Sequence, residues 1–283
     1  MREQPVLLAS GLAWPESPRW RDGELFISDV HHFRLVKIST DGAVETVCTV
    51  EGRPAGMDFA ADGSLLLATG VGRELLRIDP STGARQRVAD LGGVAKAFLN
   101  DMITHRSGWS WVGDTGFRFG VDDPVANGSL WAYHPDYGVK PAAADIFFPN
   151  GMVIGPDDTT LYLVETFGKR ISAFDIGEAG ALTNRRIHAE LPGKADGMCL
   201  DADGCLWTAM LFEGAFLRIS PAGDVIERID FPGRNAIACV AAGEDRRTLY
   251  LCVCAMDRTD PDNPVRHGEI YTTTLAVPGA GRP

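Results

Sequence analysis

A short apolar segment recurs six times along the 283-residue chain, and its regular spacing is the strongest structural signal in the sequence. Each copy is rich in β-branched, aromatic and other apolar residues, which is typical of β-strands. The copies are ELFISDV, SLLLATG, WSWVGDT, TLYLVET, CLWTAML and TLYLCVC. Acidic, glycine-type turns such as RDGE precede all but WSWVGDT, which follows HRSG. No helical pattern of useful length appears, so the chain is predicted to repeat one β-unit.

Other strand-like segments flank each copy and complete the unit. A first strand precedes it, as in AGMDFA and NGMVIG; a third follows, as in RLVKIS; and a polar fourth closes most units, as in ARQRVADL. Six four-stranded units of about 45 residues predict an all-β, six-bladed β-propeller forming a single domain over residues 1–283. The last unit lacks a fourth strand, and the segment PVLLAS near the start of the chain belongs to none of the six units. We therefore expect this N-terminal strand to complete the last blade. A β-sandwich would not explain one register repeated six times.

Charge and cysteine content restrict the class of partner. A net charge of -11 argues against nucleic acid, because a phosphate-binding surface needs clustered Lys and Arg. No apolar stretch approaches the roughly 20 residues of a membrane helix, and the first residues are too polar for a signal peptide. The six cysteines form no CxxC pair and are read as reduced, buried thiols. We therefore expect a cytoplasmic monomer or weak homo-oligomer that acts on a small molecule.

The position that opens each first strand carries the candidate chemistry. In a propeller these strands line the central channel, so equivalent positions face one another. Those positions are Glu16, Ala55, Asn100, Asn150, Asp196 and Asn235. Carboxylates facing one channel must be paired or bind a cation. Oxygen donors favour a hard divalent ion. Ca²⁺ is the preferred candidate, and Mg²⁺, Mn²⁺ and Zn²⁺ are alternatives. Each Asn or Asp alone reads as a turn residue entering a strand, but the shared register favours a metal site.

Four motifs resemble the family of gluconolactonase, senescence marker protein and luciferin-regenerating enzyme. They are WPESPRW with Glu16, LNDM with Asn100, FPNGM with Asn150 and ADGMCLD with Asp196, and the resemblance covers residues 11 to about 275. It implies a six-bladed propeller with a divalent metal at the channel mouth and hydrolysis of a lactone. It further implies that Glu16, Asn150 and Asp196 are metal ligands. Asn100 is then a fourth ligand, or it contacts the attacking water and the substrate.

The chain departs from this family at one position that bears on the substrate. Members that act on sugar lactones tend to carry Arg two residues before the Asn of blade three, where this chain has Phe98. A polar sugar lactone is therefore less expected. Loops after the second strands open on the same face and supply further candidate substrate contacts. Together with Phe98 these are His31, Phe117, Arg118, Phe167, Met210 and Phe212. They predict a mostly apolar pocket; the alternative is that the aromatic residues only cover the core.

The expected chemistry is hydrolytic. A divalent ion would polarise the lactone carbonyl, and Asp196, with Glu16 second, would take a proton from the attacking water. The alternative is that Asp196 only orients that water, because a bound cation lowers the pKa of a carboxylate. Ser17 lies outside any GxSxG motif, which argues against a serine hydrolase. Phosphotriesterase or aryl-esterase activity at the same site, and a non-catalytic metal-binding scaffold, remain as alternative functions.

Several residues near the predicted channel mouth have two alternative interpretations, one functional and one structural. Asp29, Asp114 and Glu165 end second strands at equivalent positions and either support the ligands or cap the strands. His31 and His32 follow the second strand of blade one: either one of them contacts the substrate or transfers a proton, or each is an exposed loop residue, which is preferred for each alone. For Arg118, Asp257 and Arg258, pairing at the surface is preferred over contact with a substrate.

Overall fold

The computed structural model describes residues 4–119, 123–257 and 265–282. Six antiparallel sheets are arranged as a six-bladed β-propeller, which confirms the fold predicted from the repeat. Each blade contributes an inner, a second, a third and an outer strand in that order. Two single 3₁₀ turns, Val30–His32 and Glu178–Gly180, are the helical elements of the described residues.

The strands of the first three blades follow the chain without a crossover. Blade one contains β2 (Pro15–Arg21), β3 (Glu24–Asp29), β4 (Arg34–Ser39) and β5 (Val44–Thr49), after an N-terminal strand β1 (Val6–Leu12). Blade two contains β6 (Pro54–Phe59), β7 (Leu65–Thr69), β8 (Glu74–Ile78) and β9 (Arg85–Asp90). Blade three contains β10 (Leu99–Thr104), β11 (Ser110–Asp114), β12 (Gly128–His134) and β13 (Gly138–Ile146). The outer strand β13 had no clear sequence signal.

The other three blades complete the ring. Blade four contains β14 (Pro149–Ile154), β15 (Thr160–Glu165), β16 (Arg170–Ile176) and β17 (Leu182–Glu190). Blade five contains β18 (Ala195–Asp201), β19 (Leu206–Met210), β20 (Ala215–Ile219) and β21 (Val225–Asp230). Blade six contains β22 (Asn235–Ala242), β23 (Thr248–Asp257) and β24 (Val265–Thr274). Its outer strand is β1, which pairs antiparallel with β24, so the predicted closure by the N-terminal strand is confirmed.

The end of the chain makes a contact that the repeat does not predict. The short strand β25 (Gly279–Ala280) pairs with β18, so the blade-five sheet has five strands. Arg282 forms a further antiparallel bridge with Ile154 of blade four. These pairings attach the chain end to two neighbouring inner strands.

Burial follows the position of each strand within its blade. Second strands such as β7, β11 and β19 are buried along their whole length, because neighbouring blades cover both faces. Outer strands such as β5 and β9 are mostly exposed and polar, as their sequences predict. Trp111 and Trp207 are the largest fully buried side chains. All six cysteines are free and buried, as predicted. The described residues contain no helix with the length and hydropathy needed to cross a membrane.

A break in the strand pairing shapes the inner end of the blades. The ladder between inner and second strand shifts register at Pro54–Met57, Leu99–Met102, Pro149–Met152 and Ala195–Met198, and in blade one after Glu16. Such irregularities release a residue from the ladder and redirect its side chain. Of the residues that the sequence places at the opening of the first strands, Asn235 pairs in register with Cys254, whereas Ala55, Asn100, Asn150 and Asp196 lie within these breaks and Glu16 borders one. Their side chains are therefore free to face the channel.

Candidate active site

A cavity of about 470 Å³ opens at the end of the propeller where the inner strands begin. All six residues identified by the repeat register line it, namely Glu16, Ala55, Asn100, Asn150, Asp196 and Asn235. Small-molecule sites commonly have volumes of roughly 300–1,000 Å³. These residues lie far apart in the chain but surround one cavity, as their shared register predicts.

Two glycines bring the inner strands close together at this ring. A Cβ atom on Gly151 would lie 2.7 Å from the backbone oxygen of Asp196, and one on Gly197 would lie 2.6 Å from the Cβ of Ala238. Each glycine directly follows a ring residue, Asn150 or Asp196. Because real Cβ atoms do not approach other atoms so closely, these positions require glycine for neighbouring blades to pack at this distance.

Hydrogen bonds orient the amides of Asn100 and Asn150. Asn100 Nδ2 donates to the backbone oxygen of Pro149 at 3.1 Å. Asn150 Nδ2 donates to Thr166 Oγ1 at 3.0 Å, and that hydroxyl donates in turn to the Ala195 oxygen at 2.8 Å. With the amide nitrogens occupied, the Oδ1 atoms remain as acceptors at the cavity. This is the orientation needed to bind a cation or a donor group.

The carboxylates of the ring lie in an unfavourable environment for negative charge. Burial raises the pKa of Glu16 well above its usual range, and the charges of Asp196 and Asp101 raise it further. Burial and the charge of Asp101 raise the pKa of Asp196 in the same way. The hydrogen bond from Trp14 Nε1 to Glu16 Oε1, at 3.0 Å, opposes this only in part. A cation between these carboxylates would remove the repulsion and compensate for their burial.

The donor set is chemically suited to a hard divalent ion. It combines two carboxylates with two amide oxygens, the mixture that Ca²⁺ accepts. Within the part of the chain that the structure describes, no group of three or more His, Cys, Asp or Glu side chains is arranged to hold a metal. An ion at this ring would be held by the amide oxygens of Asn150 or Asn100 together with the carboxylates of Glu16 and Asp196.

Acidic residues at the ends of three second strands anchor the segments that lead into the ring. Asp29 Oδ1 accepts the N–H of Ala13 at 2.7 Å, and Asp114 Oδ1 accepts that of Ala97 at 3.0 Å. Glu165 Oε2 accepts the N–H of Phe147 at 2.9 Å. In each blade the anchored N–H lies three residues before the ring residue. These carboxylates support the ring residues from behind, which was one of the two readings of the sequence.

Of the three, Glu165 is the one that pairs with two arginines, Arg170 and Arg185. Burial alone would raise the pKa of Glu165, but hydrogen bonds from Arg170, the Phe147 N–H, Ser172 and Arg185 outweigh it and lower the pKa to about 2. Its side chain is fully buried. The ionised carboxylate is therefore part of the folded structure at every pH near neutral.

Ser17 has a structural function. Its side chain is 3% exposed, and its Oγ accepts the backbone N–H of Met57 from blade two at 2.9 Å. Its backbone has a φ of 51°, which a non-glycine residue rarely adopts. Ser17 thus connects blades one and two next to Glu16, in agreement with the sequence argument against a serine hydrolase.

The candidate substrate contacts divide into two groups. His31, Phe98, Phe167 and Phe212 line the cavity. Phe117, Arg118 and Met210 are not among its lining residues. Met210 is fully buried in the core between blades four and five, and Phe117 is buried against the rings of Phe148 and Phe167. Arg118 is exposed and pairs with Asp123 at 3.2 Å, whereas Arg258 and the side chain of Asp257 lie outside the described residues.

Aromatic rings form one wall of the cavity. Phe119 lies 5.6 Å from Phe167 and 6.4 Å from both Phe148 and Phe212, measured between ring centroids. Phe119 and Phe212 are about half exposed, at 52% and 50%. Lys194 Nζ lies 4.1 Å from the centre of the Phe167 ring. Aromatic side chains therefore line the cavity on the side of blades three to five.

Several lining residues were missed by the sequence analysis, and one simple signal would have found three of them. Trp14, Arg53 and Phe148 each lie two residues before a ring position, as Phe98 does. The guanidinium of Arg53 stacks on Phe98, 4.6 Å from the ring centre. An arginine that directly precedes blade two thus lies against the phenylalanine that stands where this chain lacks an arginine in blade three. Asp101 also lines the cavity, and burial raises its pKa to about 6.

His31 is a neutral group at physiological pH. Burial lowers its pKa to about 4, and the nearby charges of Arg266 and Arg53 act in the same direction. Its ring packs edge-on against Trp14 at 6.2 Å. His32 is exposed, and its Nδ1 lies 2.8 Å from the buried carboxylate of Asp29. The two neighbouring histidines therefore have different surroundings, and His31 is the one at the cavity.

The family described as SMP-30/Gluconolactonase/LRE-like region matches residues 14–255, which include every residue of the ring. The chain belongs to this family. It is 27% identical over 278 residues to 6-deoxy-6-sulfogluconolactonase of Pseudomonas putida, covering 95% of this chain and 93% of that one.

Two solved structures have a fold similar to that of this chain. A gluconolactonase from Xanthomonas campestris has a TM-score of 0.79 at 26% identity, covering 97% of this chain and 89% of the other. A calcium-binding protein from Agrobacterium tumefaciens, regucalcin, has a TM-score of 0.83 at 23% identity, covering 100% and 97%.

Proposed function

We propose that this protein is a metal-dependent lactonase whose ion is held by Glu16, Asn150 and Asp196. The convergence of these oxygen donors from three blades on one cavity carries the proposal. Membership of the gluconolactonase family supports it, as do a relative named 6-deoxy-6-sulfogluconolactonase and a similar structure described as calcium-binding. Ca²⁺ is the first choice because the donors are hard oxygens of mixed charge.

The reaction is the addition of water to a cyclic ester. A water oxygen bonds to the carbonyl carbon, the ring C–O bond breaks, and the ring oxygen takes a proton to become a hydroxyl. The product is a hydroxy acid, which releases a proton near neutral pH. A bound divalent ion would supply Lewis acidity at the carbonyl.

The residues that line the cavity would handle the proton, orient the reactants and exclude water. Asp196, a buried lining residue, accepts the proton of the attacking water or orients that water. Asn100 presents its Oδ1 to the ion, the water or the substrate, because its amide nitrogen is bound to Pro149. The phenylalanine wall excludes water and packs against apolar parts of the substrate.

The test combines ion removal with a substrate panel. Protein stripped with a chelator is reloaded with Ca²⁺, Mg²⁺, Mn²⁺ or Zn²⁺, and proton release is followed on sugar, aliphatic and aromatic lactones. Ion-dependent turnover supports the proposal. If the protein binds an ion but opens no lactone, it is a related hydrolase or a metal-binding scaffold.

A second candidate activity at the same site is the hydrolysis of aryl esters or phosphotriesters. The aromatic wall of Phe119, Phe148, Phe167 and Phe212 favours it, since flat aromatic leaving groups stack on such rings. Including phenyl acetate and a neutral phosphotriester in the panel separates the two activities. Faster turnover of these substrates than of any lactone would favour the second candidate.

A further inference from the structure

The cavity wall formed by blades two and six carries positive charge that the lactonase chemistry does not use. Arg53, just before β6, and Arg266, on β24, both line the cavity. Neither arginine belongs to the ring of oxygen donors. Arginine stays protonated under all ordinary conditions, so both side chains bring a full charge to the edge of the site.

The position of Arg53 is fixed by its surroundings. Its backbone has a φ of 67°, in the left-handed region, and its oxygen accepts the N–H of Gly70 at 2.7 Å. A Cβ on Gly70 would lie 3.4 Å from Nε and Nη2 of Arg53, so the glycine leaves room for the guanidinium to lie flat. Phe98 supports it 4.6 Å away, between ring centre and guanidinium carbon. A strained backbone and a stacked side chain indicate a built position.

Among the side chains that the structure describes, in residues 4–119, 123–256 and 265–282, no carboxylate forms an ion pair with Arg53. Burial lowers its pKa, and of the neighbouring charges Glu16 opposes this effect while Arg266 adds to it. In the proposed lactonase, Glu16 is already committed to the divalent ion. The charge of Arg53 then has no fixed counter-charge among the described residues. A half-buried guanidinium of this kind is suited to an anion brought by the ligand.

We propose that Arg53, supported by Phe98, recognises an anionic substituent, such as a carboxylate, sulfonate or phosphate, on the lactone. This inference rests on the proposed lactonase function and names its substrate class. The guanidinium offers paired N–H donors that match the oxygens of such a group. The substrate is then a lactone that carries an anionic group. Its cyclic ester lies beside the oxygen donors, and its anionic group points toward blade two.

The experiment uses hydrolytically inert lactams, so that binding is measured without turnover. The Ca²⁺-loaded protein is titrated by calorimetry with 6-oxopiperidine-2-carboxylate, with homologues whose carboxylate is one or two methylenes further from the ring, and with the corresponding neutral carboxamides. We expect at least one carboxylate to bind roughly 10- to 100-fold more tightly than its carboxamide, the usual gain from a charge-assisted contact. Arg53→Gln should reduce that preference to within about threefold.

Control variants separate this effect from a folding defect. Arg228→Gln removes an exposed guanidinium on β21 that pairs with Asp230, and it should keep the full preference. Arg53→Lys keeps the charge but not the paired donors and should retain part of it. Equal binding of all carboxylates and carboxamides by the wild type, no measurable binding of any carboxylate, or an unchanged preference in a folded Arg53→Gln protein would overturn the inference.

Turnover of the matching δ-lactones distinguishes this inference from the proposed function. If the neutral lactones are opened as fast as the charged ones, the lactonase proposal stands and the anion site fails. If no lactone is opened but the carboxylate lactams bind through Arg53, the anion site stands and the lactonase proposal fails. If charged lactones are preferred and Arg53→Gln removes the preference in kcat/KM, both stand.

Discussion

Replacing Glu165 with Gln tests whether the carboxylates behind the ring stabilise the blades that hold it. Glutamine is nearly isosteric but uncharged, so Arg170 and Arg185 lose their counter-charge. A pKa of about 2, against an ordinary value of 4.5, corresponds to roughly 3 kcal/mol of stabilisation at neutral pH. We expect the variant to lose most of this free energy of unfolding at pH 7. The midpoint of thermal unfolding should fall by roughly 6–12 °C.

The pH dependence of this difference has a definite sign. Because the pKa of Glu165 is lower in the folded than in the unfolded protein, its stabilisation is complete above about pH 4.5 and is lost as the pH falls toward 2. Urea unfolding of wild type and variant at pH 7, 5, 4 and 3 measures it. The gap should be constant from pH 7 to 5 and should shrink to about half by pH 3.

Asp175→Asn is the matched control, because this exposed carboxylate of the same blade also pairs with an arginine, Arg186. Exposed pairs stabilise little, so this variant should resemble the wild type. A Glu165→Gln protein as stable as the control, or a gap that does not change between pH 5 and 3, would refute the reasoning. Calcium titration adds a second readout. An NH2 group in place of one Glu165 oxygen disturbs the donors around it, which include the Phe147 N–H, and should weaken ion binding through Asn150 by roughly tenfold.

Three other substitutions test separate parts of the site. Asp114→Asn should lower kcat/KM by roughly 10-fold or more, measured by proton release, because an NH2 group replaces one of the two oxygens that accept the N–H groups of Lys96 and Ala97 before Asn100. Ser17→Ala should keep its turnover, but its free energy of unfolding, measured by urea denaturation, should fall by about 1–3 kcal/mol because the buried N–H of Met57 loses its acceptor. Loss of turnover with unchanged stability would contradict this structural role. Asp196→Asn should abolish turnover even if calorimetry shows that calcium still binds, and full turnover would exclude Asp196 from the chemistry.

The sequence was sufficient to predict the blades and the ring because both depend on a repeated register. Glu16 and Asp196 lie 180 positions apart but hold the same place in their units, so their meeting could be derived without coordinates. The closure by β1 followed from one missing and one spare strand. Register of this kind is encoded by period-two patterning and by turns, which are local features of sequence.

The direction of individual side chains in the loops could not be derived in this way. Met210 ends a strand beside the channel, but its side chain packs into the core, while the next residues, Leu211 and Phe212, line the cavity. Phe117 is covered by other rings, and Arg118 has a local partner in Asp123. Such outcomes depend on loop conformation, for which the sequence has no period. Arg53, by contrast, was within reach of the register argument.

The most direct test of the account is to measure calcium binding and lactone hydrolysis on one preparation of wild-type protein and of Asn150→Ala. The wild type should bind one ion, lose turnover with chelator and recover it when the ion is restored. The variant should remain folded, bind the ion much more weakly and open lactones slowly, because the amide oxygen that completes the donor set is gone. Full turnover by chelated wild-type protein, or by a variant that no longer binds the ion, would contradict the account.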